Sequence, residues 1–318
     1  MRPSAPLVLA TTLGLFVGAA WMVARGEPPT YDRVPAAGNT RVRRIERLPS
    51  EPWSVQILAD IQDGFLYLPR ILSEGRSLGV DAVVVAGDLA RGGGGDHLSL
   101  LLRQLELHPP SVPLFVVPGN HDTVRARDRE RFVHCFGAAE FEFEIGQTRF
   151  IGLDSTVDTG PAQVRQVARQ LANARRLDQG VVVVRHHSPL PSDDPGENTR
   201  SSPELARLLT HSKVRFVVSG HAHSWQLDQQ GDTRFLIAPA SGDRSHGQGQ
   251  TPISFLILRW TGTRLELERY EHFRSNWIEL TTAFQHVFLG HVTPGAARLL
   301  SQLELPGRLP PSRWVGLR

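Results

Sequence analysis

Val116-Val117-Pro118-Gly119-Asn120-His121-Asp122 is an apolar strand that stops at Pro-Gly and then presents three polar side chains in succession. Pro118 cannot extend a hydrogen-bonded ladder and Gly119 permits a tight or left-handed turn, so Asn120, His121 and Asp122 are expected at the carboxyl end of the strand. An amide, an imidazole and a carboxylate together suit a metal or phosphate site. The same residues also suit a polar turn that caps a helix starting near Thr123, and the stretch by itself leaves both readings open.

Outward from that stretch the chain repeats one pattern. Ser54 to Ala59 reads as a strand ending at Asp60, with a helix between Phe65 and Leu78. Asp81 to Ala86 is a short, continuously apolar strand ending in Gly87-Asp88, the texture of a strand buried on both faces. A helix near His97 to Leu107 precedes the strand Pro113 to Val117. Each of these strands ends on an acidic or amide residue, and open α/β sheets place ligands at that edge. Further on, Phe141 to Ile145 and Arg149 to Leu153 form a hairpin around Gly146-Gln147, and Ala162 to Leu177 is a helix. The apolar strand Val181 to Val184 ends in Arg185-His186-His187-Ser188-Pro189. The polar segment Pro191 to Ser202 is placed to overhang the site as a lid. A helix (Pro203 to Thr210) and a strand (Val214 to Ser219) deliver Gly220-His221-Ala222-His223. Ser224 to Gln229, Thr233 to Ala240, Ile253 to Trp260 and Arg264 to Tyr270 then alternate like hairpins, which predicts a second sheet of mainly antiparallel strands.

The chain has 318 residues, with 35 Lys+Arg against 32 Asp+Glu for a net charge of +3. That small excess is spread, densest at Arg41, Arg43, Arg44 and Arg47, so no nucleic-acid partner is expected. Cys135 is the single cysteine, which excludes an intramolecular disulfide and a thiolate metal cluster. From Ala5 to Ala24 there is no charged residue, and a helix of about 20 residues crosses a bilayer. Residues 1–26 are therefore expected to be a signal anchor or a cleaved signal peptide. Gly18-Ala19-Ala20 offers a cleavage site, and Trp21-Met22-Val23 prolongs the apolar run past it, which favours the uncleaved anchor. The expected setting is membrane-anchored or exported, on the extracytoplasmic side, with the membrane a partner through this helix. Residues 27–52 read as a linker, 53–275 as the folded domain, and 276–318 as an extension without an assigned role.

Asp60 with Gln62, Gly87-Asp88, Gly119-Asn120-His121-Asp122, His186-His187 and Gly220-His221-Ala222-His223 occur in that order, each at a strand end. The ordered set resembles the calcineurin-like metallophosphoesterase family, whose pattern runs Asp-x-His, Gly-Asp, Gly-Asn-His-Asp/Glu, His, Gly-His-x-His. The resemblance covers roughly Val55 to Trp225. It implies an α/β fold, a four-layer αββα sandwich of two mixed sheets flanked by helices. It implies two divalent ions (Mn, Fe, Zn or Mg), with Asp60, Gln62 and His223 at the first, Asp88 bridging, and Asn120, His221 and one tandem histidine at the second. Counting from the strand favours His186, with His187 lining the substrate cleft, whereas a His-x-Pro spacing would select His187 before Pro189. His121 would be free of metal and donate either a proton to the leaving oxygen or a hydrogen bond to the phosphate, with Asp122 orienting its ring. Gln62 departs from the family's histidine, and a neutral amide oxygen is a weaker ligand that leans towards Mn or Mg.

The chemistry is consistent on its own terms. Two divalent ions about 3.5 to 4 Å apart activate a water and clamp both ends of a phosphoryl displacement. The expected function is hydrolysis of a phosphoric mono- or diester by in-line attack of a metal-bridging hydroxide on phosphorus. The alternative is a catalytically weak or inactive scaffold of the same fold at a membrane. The oligomeric state is not legible.

Overall fold

Residues 82–86, Ala-Val-Val-Val-Ala, form a strand in which every position is buried, because the second sheet packs against one of its faces and helices against the other. The computed structural model describes residues 33–91, 95–157, 159–192, 200–242, 253–272 and 313–316. In chain order the elements are β1 (Arg44–Ile45), β2 (Trp53–Leu58), a 3-10 turn (Gln62–Leu66), α1 (Leu68–Ser77), β3 (Ala82–Ala86), α2 (Gly95–Leu107), β4 (Leu114–Val117) and α3 (Ala126–Phe136). They continue with β5 (Phe141–Ile145), β6 (Thr148–Gly152), α4 (Pro161–Arg176), β7 (Gly180–Val184), α5 (Pro203–Thr210), β8 (Val214–Ser219), β9 (Gln226–Gln230), β10 (Thr233–Ile237), β11 (Ile253–Trp260), β12 (Leu265–His272) and β13 (Arg313–Gly316).

Among the described residues the strands make two mixed sheets. One runs β13-β12-β11-β2-β3-β4 and the other β1-β5-β6-β7-β8-β10-β9. Side chains alternate across each strand, which sorts the apolar residues into three cores. Val55, Ile57, Val84 and Phe115 from the first sheet meet Phe143, Phe150, Val182, Val184 and Phe216 from the second. The other face of the first sheet, through Leu58, Val83, Val85 and Val116, packs on Ile71, Leu101 and Phe132 of α1, α2 and α3. Val181, Val183 and Val217 pack on Val167, Leu171 and Leu205 of α4 and α5. The order is helix, sheet, sheet, helix, which is why the parallel strands read as continuous apolar runs rather than alternating ones.

The expected second sheet of late antiparallel strands does not form as one body. The β9–β10 hairpin joins β8 in parallel, with Phe235 opposite Val217, whereas the β11–β12 hairpin joins β2 antiparallel, with Leu256 opposite Ile57. Alternation within a hairpin identifies its buried face but says nothing about which sheet edge will receive it. The helix after the opening stretch also starts later than Thr123. It begins at Ala126, and the Asp128 side chain accepts from the Arg125 backbone N–H at 3.0 Å to cap it. Asn120, His121 and Asp122 are therefore not a helix cap.

Ahead of β1, Asn39 closes the outer edge of β4. Its amide donates to Val116 O at 2.8 Å and Ala138 O at 2.7 Å and accepts from Val116 N at 2.9 Å, as a neighbouring strand would. The residues read as an anchor or signal helix (1–26) and most of the lid (193–199) lie outside the described residues, as does all of 276–318 except β13, which pairs with β12. No helix among the described residues is long and apolar enough to cross a membrane.

Candidate metal centre

The carboxyl ends of β2, β3 and β4 in one sheet and of β7 and β8 in the other converge at the same end of the sandwich. The chain must turn sharply there to leave each strand. Asp60, Gln62, Asp88, His221 and His223 all adopt left-handed backbone conformations, with φ of 51°, 41°, 54°, 72° and 51°. Among the described residues only Asp178 and Lys213 share that conformation without being glycine. Each such residue stores on the order of 1 kcal/mol of strain, retained where the surroundings over-determine it, typically at functional sites. Glycines make the close approach possible. A Cβ on Gly119 would lie 2.0 Å from Asp88 Oδ1, and one on Gly87, itself at φ 87°, would lie 2.5 Å from the His186 ring.

Asp88 sits at the centre and is buried. Its Oδ2 accepts from Gln62 Nε2 at 3.0 Å. Its Oδ1 faces His186 Nε2 at 3.4 Å and accepts from the His121 backbone N–H at 2.9 Å. On the Gln62 side, Asp60 Oδ1 lies 3.2 Å from His223 Nε2, and the Asp60 carboxylate accepts from His221 N at 3.0 and 3.2 Å. On the other side, His186 Nε2 faces Asn120 Oδ1 at 3.0 Å. The rings of His186 and His187 lie 5.1 and 4.5 Å from that of His221. All seven expected ligands are thus drawn to one place, arranged on two sides of a single carboxylate.

The electrostatics describe a site short of cations. Burial pushes the Asp60 carboxyl up, against the hydrogen bond from His223 and the charge of His186. Burial acts the same way on Asp88, but the charge and hydrogen bond of His186 prevail and hold Asp88 well below the usual carboxylate range. Burial opposes the His186 cation too, yet the facing Asp88 carboxylate raises it to about 10. His221 is lowered to about 4 by burial and then by the charge of His186. No Lys or Arg among the described residues pairs with Asp60 or Asp88. The buried Gln62 Oε1 meets no hydrogen-bond partner. Two buried carboxylates balanced by one imidazolium, with an orphaned amide oxygen beside them and no thiolate, fit hard or borderline divalent ions. A bound ion would take the place of the His186 proton.

One expected role looks different in the structure. Asp122, expected to orient the His121 ring, instead engages both oxygens with backbone amides: Gly119 N at 2.8 Å and Leu89 N at 3.2 Å on Oδ2, and Ala90 N at 3.0 Å on Oδ1. Its work is to clamp the turn after β3 to the turn after β4, because the amides of both turns point inward at it. Burial, reinforced by the charge of Asp88, pushes its carboxyl up to about 7 against the pull of those three donors. The tandem histidines are told apart by their partners. His186 Nδ1 meets Ala86 O at 2.9 Å. The His187 ring lies 4.8 Å from that of His186, with Nδ1 3.0 Å from Ser155 Oγ.

Sequence reasoning missed Ser155 and Arg185. Ser155 lies three residues past the end of β6, and a single serine there carries no spacing signal that would have singled it out. Asp154, beside it, has a structural role, accepting from Arg129 and from Thr156 N at 2.8 Å and Oγ1 at 2.6 Å. Arg185 is 1% exposed. Its Nη2 donates to Arg200 O at 3.2 Å, and Nε and Nη1 have no partner. Burial lowers its pKa to about 10, which leaves it charged at neutral pH next to His187.

Comparison with known proteins agrees with this geometry. A curated relative from Vesicomyosocius okutanii, described as a probable cyclic nucleotide phosphodiesterase, is 24% identical over 199 residues, covering 60% of this chain and 83% of the relative. A dimetal phosphatase from Danio rerio superposes with a TM-score of 0.55 at 14% identity, covering 71% of this chain and 97% of that one. The purple acid phosphatase PPD1 from yellow lupin superposes at 0.52 with 16% identity, covering 71% and 52% of the two chains. At these identities the two structures establish likeness of fold. Residues 54–225 match the family model described as calcineurin-like phosphoesterase, more than half of the sequence and every strand end of the cluster, and the chain belongs to that family of metal-dependent hydrolases.

Proposed function

We propose that this chain hydrolyses phosphoric esters at a dinuclear metal centre held by Asp60, Gln62, Asp88, Asn120, His186, His221 and His223. The observation that carries the reading is the division of Asp88. One oxygen faces Gln62 and the other faces His186, which in turn meets Asn120, so a single carboxylate stands between two groups of candidate ligands. When bound, a pair of divalent ions supplies activation of water and neutralisation of phosphoryl charge in an in-line displacement.

The chain's own residues supply the rest. His121 has a side chain 36% exposed, with Nε2 3.9 Å from Asp88 Oδ2. It is the cluster histidine open to solvent and is assigned to protonate the leaving oxygen. Asp122 holds the backbone that carries it. A cavity of about 480 Å³ is lined by Ser188, Ala222, Ser224, Gln226, Asp228 and Phe235, with Ala222 lying between His221 and His223 in the chain. The description of the curated relative makes a phosphodiester the first substrate to test.

The test is an assay of full-length protein with bis-p-nitrophenyl phosphate and p-nitrophenyl phosphate after loading with Mn, Fe, Zn or Mg. Turnover with at least one ion, abolished by chelator, is expected. Its absence with all four would leave the inactive scaffold as the better reading.

Gln62 bears on which ion is held. Replacing it by histidine exchanges a neutral oxygen for an imidazole nitrogen, and Gln62→His is expected to tighten one of the two Mn sites roughly tenfold, about 1.4 kcal/mol. An unchanged calorimetric titration would remove Gln62 from the coordination sphere.

A further inference from the structure

The hydrogen bonds around Ser155 determine where the proton of the His187 ring resides. Ser155 Oγ lies 3.2 Å from His186 N, 3.0 Å from His187 N and 3.0 Å from His187 Nδ1. A hydroxyl has one hydrogen and two acceptor lone pairs. The two backbone N–H groups can only donate, and they occupy both lone pairs. The hydroxyl hydrogen is then left for Nδ1, which must accept it. An imidazolium would direct a third N–H at an oxygen with no lone pair free, so the ring is neutral with its proton on Nε2. His186 is the reverse case. Ala86 O can only accept, so His186 Nδ1 carries hydrogen and Nε2 is the nitrogen that can be freed for a metal.

We propose that His187 is a fixed Nε2–H donor to a phosphoryl oxygen of the ester rather than a metal ligand, and that Ser155 is the positioning residue that sets its tautomer. One ring nitrogen from each of His186, His187 and His221 lies within 4.8 Å of the other two. With Nδ1 engaged by Ser155, we assign Nε2 as the His187 nitrogen available to substrate. A protonated nitrogen there has no lone pair to offer a cation, but it stabilises negative charge developing on oxygen. A neutral donor also adds no positive charge against the ions, and the Arg185 guanidinium beside it disfavours a second proton on the ring. The identity of the acceptor rests on the phosphoesterase reading. The tautomer does not.

The experiment is a long-range ¹H–¹⁵N correlation spectrum of full-length, metal-free protein labelled at histidine, with the His187 signals assigned by their loss in His187→Asn. The expected pattern for His187 is a protonated Nε2 and an unprotonated Nδ1. It is expected to persist in Ser155→Thr, which keeps the hydroxyl, and to collapse to mixed tautomers in Ser155→Ala. His187→Asn is expected to retain two equivalents of Mn where His186→Asn loses at least one, and to lose about 10²-fold in kcat/KM, the scale for one preorganised donor. Ser155→Ala should lose part of that and Ser155→Thr recover it. A protonated Nδ1, or loss of Mn from His187→Asn, would overturn the proposal, and so would undiminished turnover by His187→Asn. If wild-type protein turns over no phosphoester with any ion, the phosphoesterase reading and the acceptor named here fail together, while the spectrum still decides the tautomer.

Discussion

Asp88→Asn is expected to lower phosphoester turnover by on the order of 10³-fold, the upper range for loss of one preorganised electrostatic group, and to reduce bound Mn from two equivalents to at most one. An asparagine has one acceptor oxygen where Asp88 uses two. If that oxygen keeps the His121 N–H, now 2.9 Å from Oδ1, the new NH₂ faces Gln62 Nε2, which is itself a donor 3.0 Å from Oδ2. Whichever way the amide turns, one side of the cluster loses its shared ligand. Turnover and metal content both unchanged would remove Asp88 from the centre.

The same substitution has a pH signature in metal-free protein. The Asp88 carboxylate raises the folded pKa of His186 to about 10, above its unfolded value of about 6.5. A raised pKa means that the folded state holds the proton more tightly. The resulting stability is fully present below pH 6.5 or so and is lost as pH rises towards 10. Wild-type protein without metal should therefore lose thermal stability across that interval, and Asp88→Asn should show a flatter profile. Equal slopes for the two proteins would contradict the pairing.

His121→Ala is the second large effect. Loss of a general acid costs about 10²- to 10⁴-fold, but only where the leaving group needs a proton. Esters of alkyl alcohols should show the full loss and p-nitrophenyl esters little, because p-nitrophenolate departs without help. The geometry supports this split. His121 is anchored to Asp88 through its backbone N–H at 2.9 Å, while its ring stays 3.9 Å from that carboxylate and half-open to solvent. Equal slowing of both substrate types would exclude proton donation and assign His121 to binding phosphate.

Strand-end reading found the cluster because the chemistry lies where buried strands meet solvent, and apolar runs ending in Asp60, Asp88 and Asn120 mark those points in the chain. It misjudged Asp122, since a carboxylate next to a histidine in sequence has no obligation to touch its ring. The inward-pointing amides of Leu89, Ala90 and Gly119 captured it first. It passed over Ser155 because one serine after a strand has no spacing signature. The role of that hydroxyl comes from two backbone amides and a ring 31 and 32 residues further along the chain.

The sequence by itself determined the order of the candidate ligands and the α/β alternation, the latter from local periodicity and from the turns at Pro118 and Gly87. Tertiary structure alone decided which sheet received each late hairpin, because β10 joins the nearby β8 whereas β11 reaches back to β2 near the start of the domain, through packing rather than pattern. It also decided the hydrogen-bond partners of the two tandem histidines, because only folding brings Ala86 O to the His186 ring and Ser155 Oγ to the His187 ring.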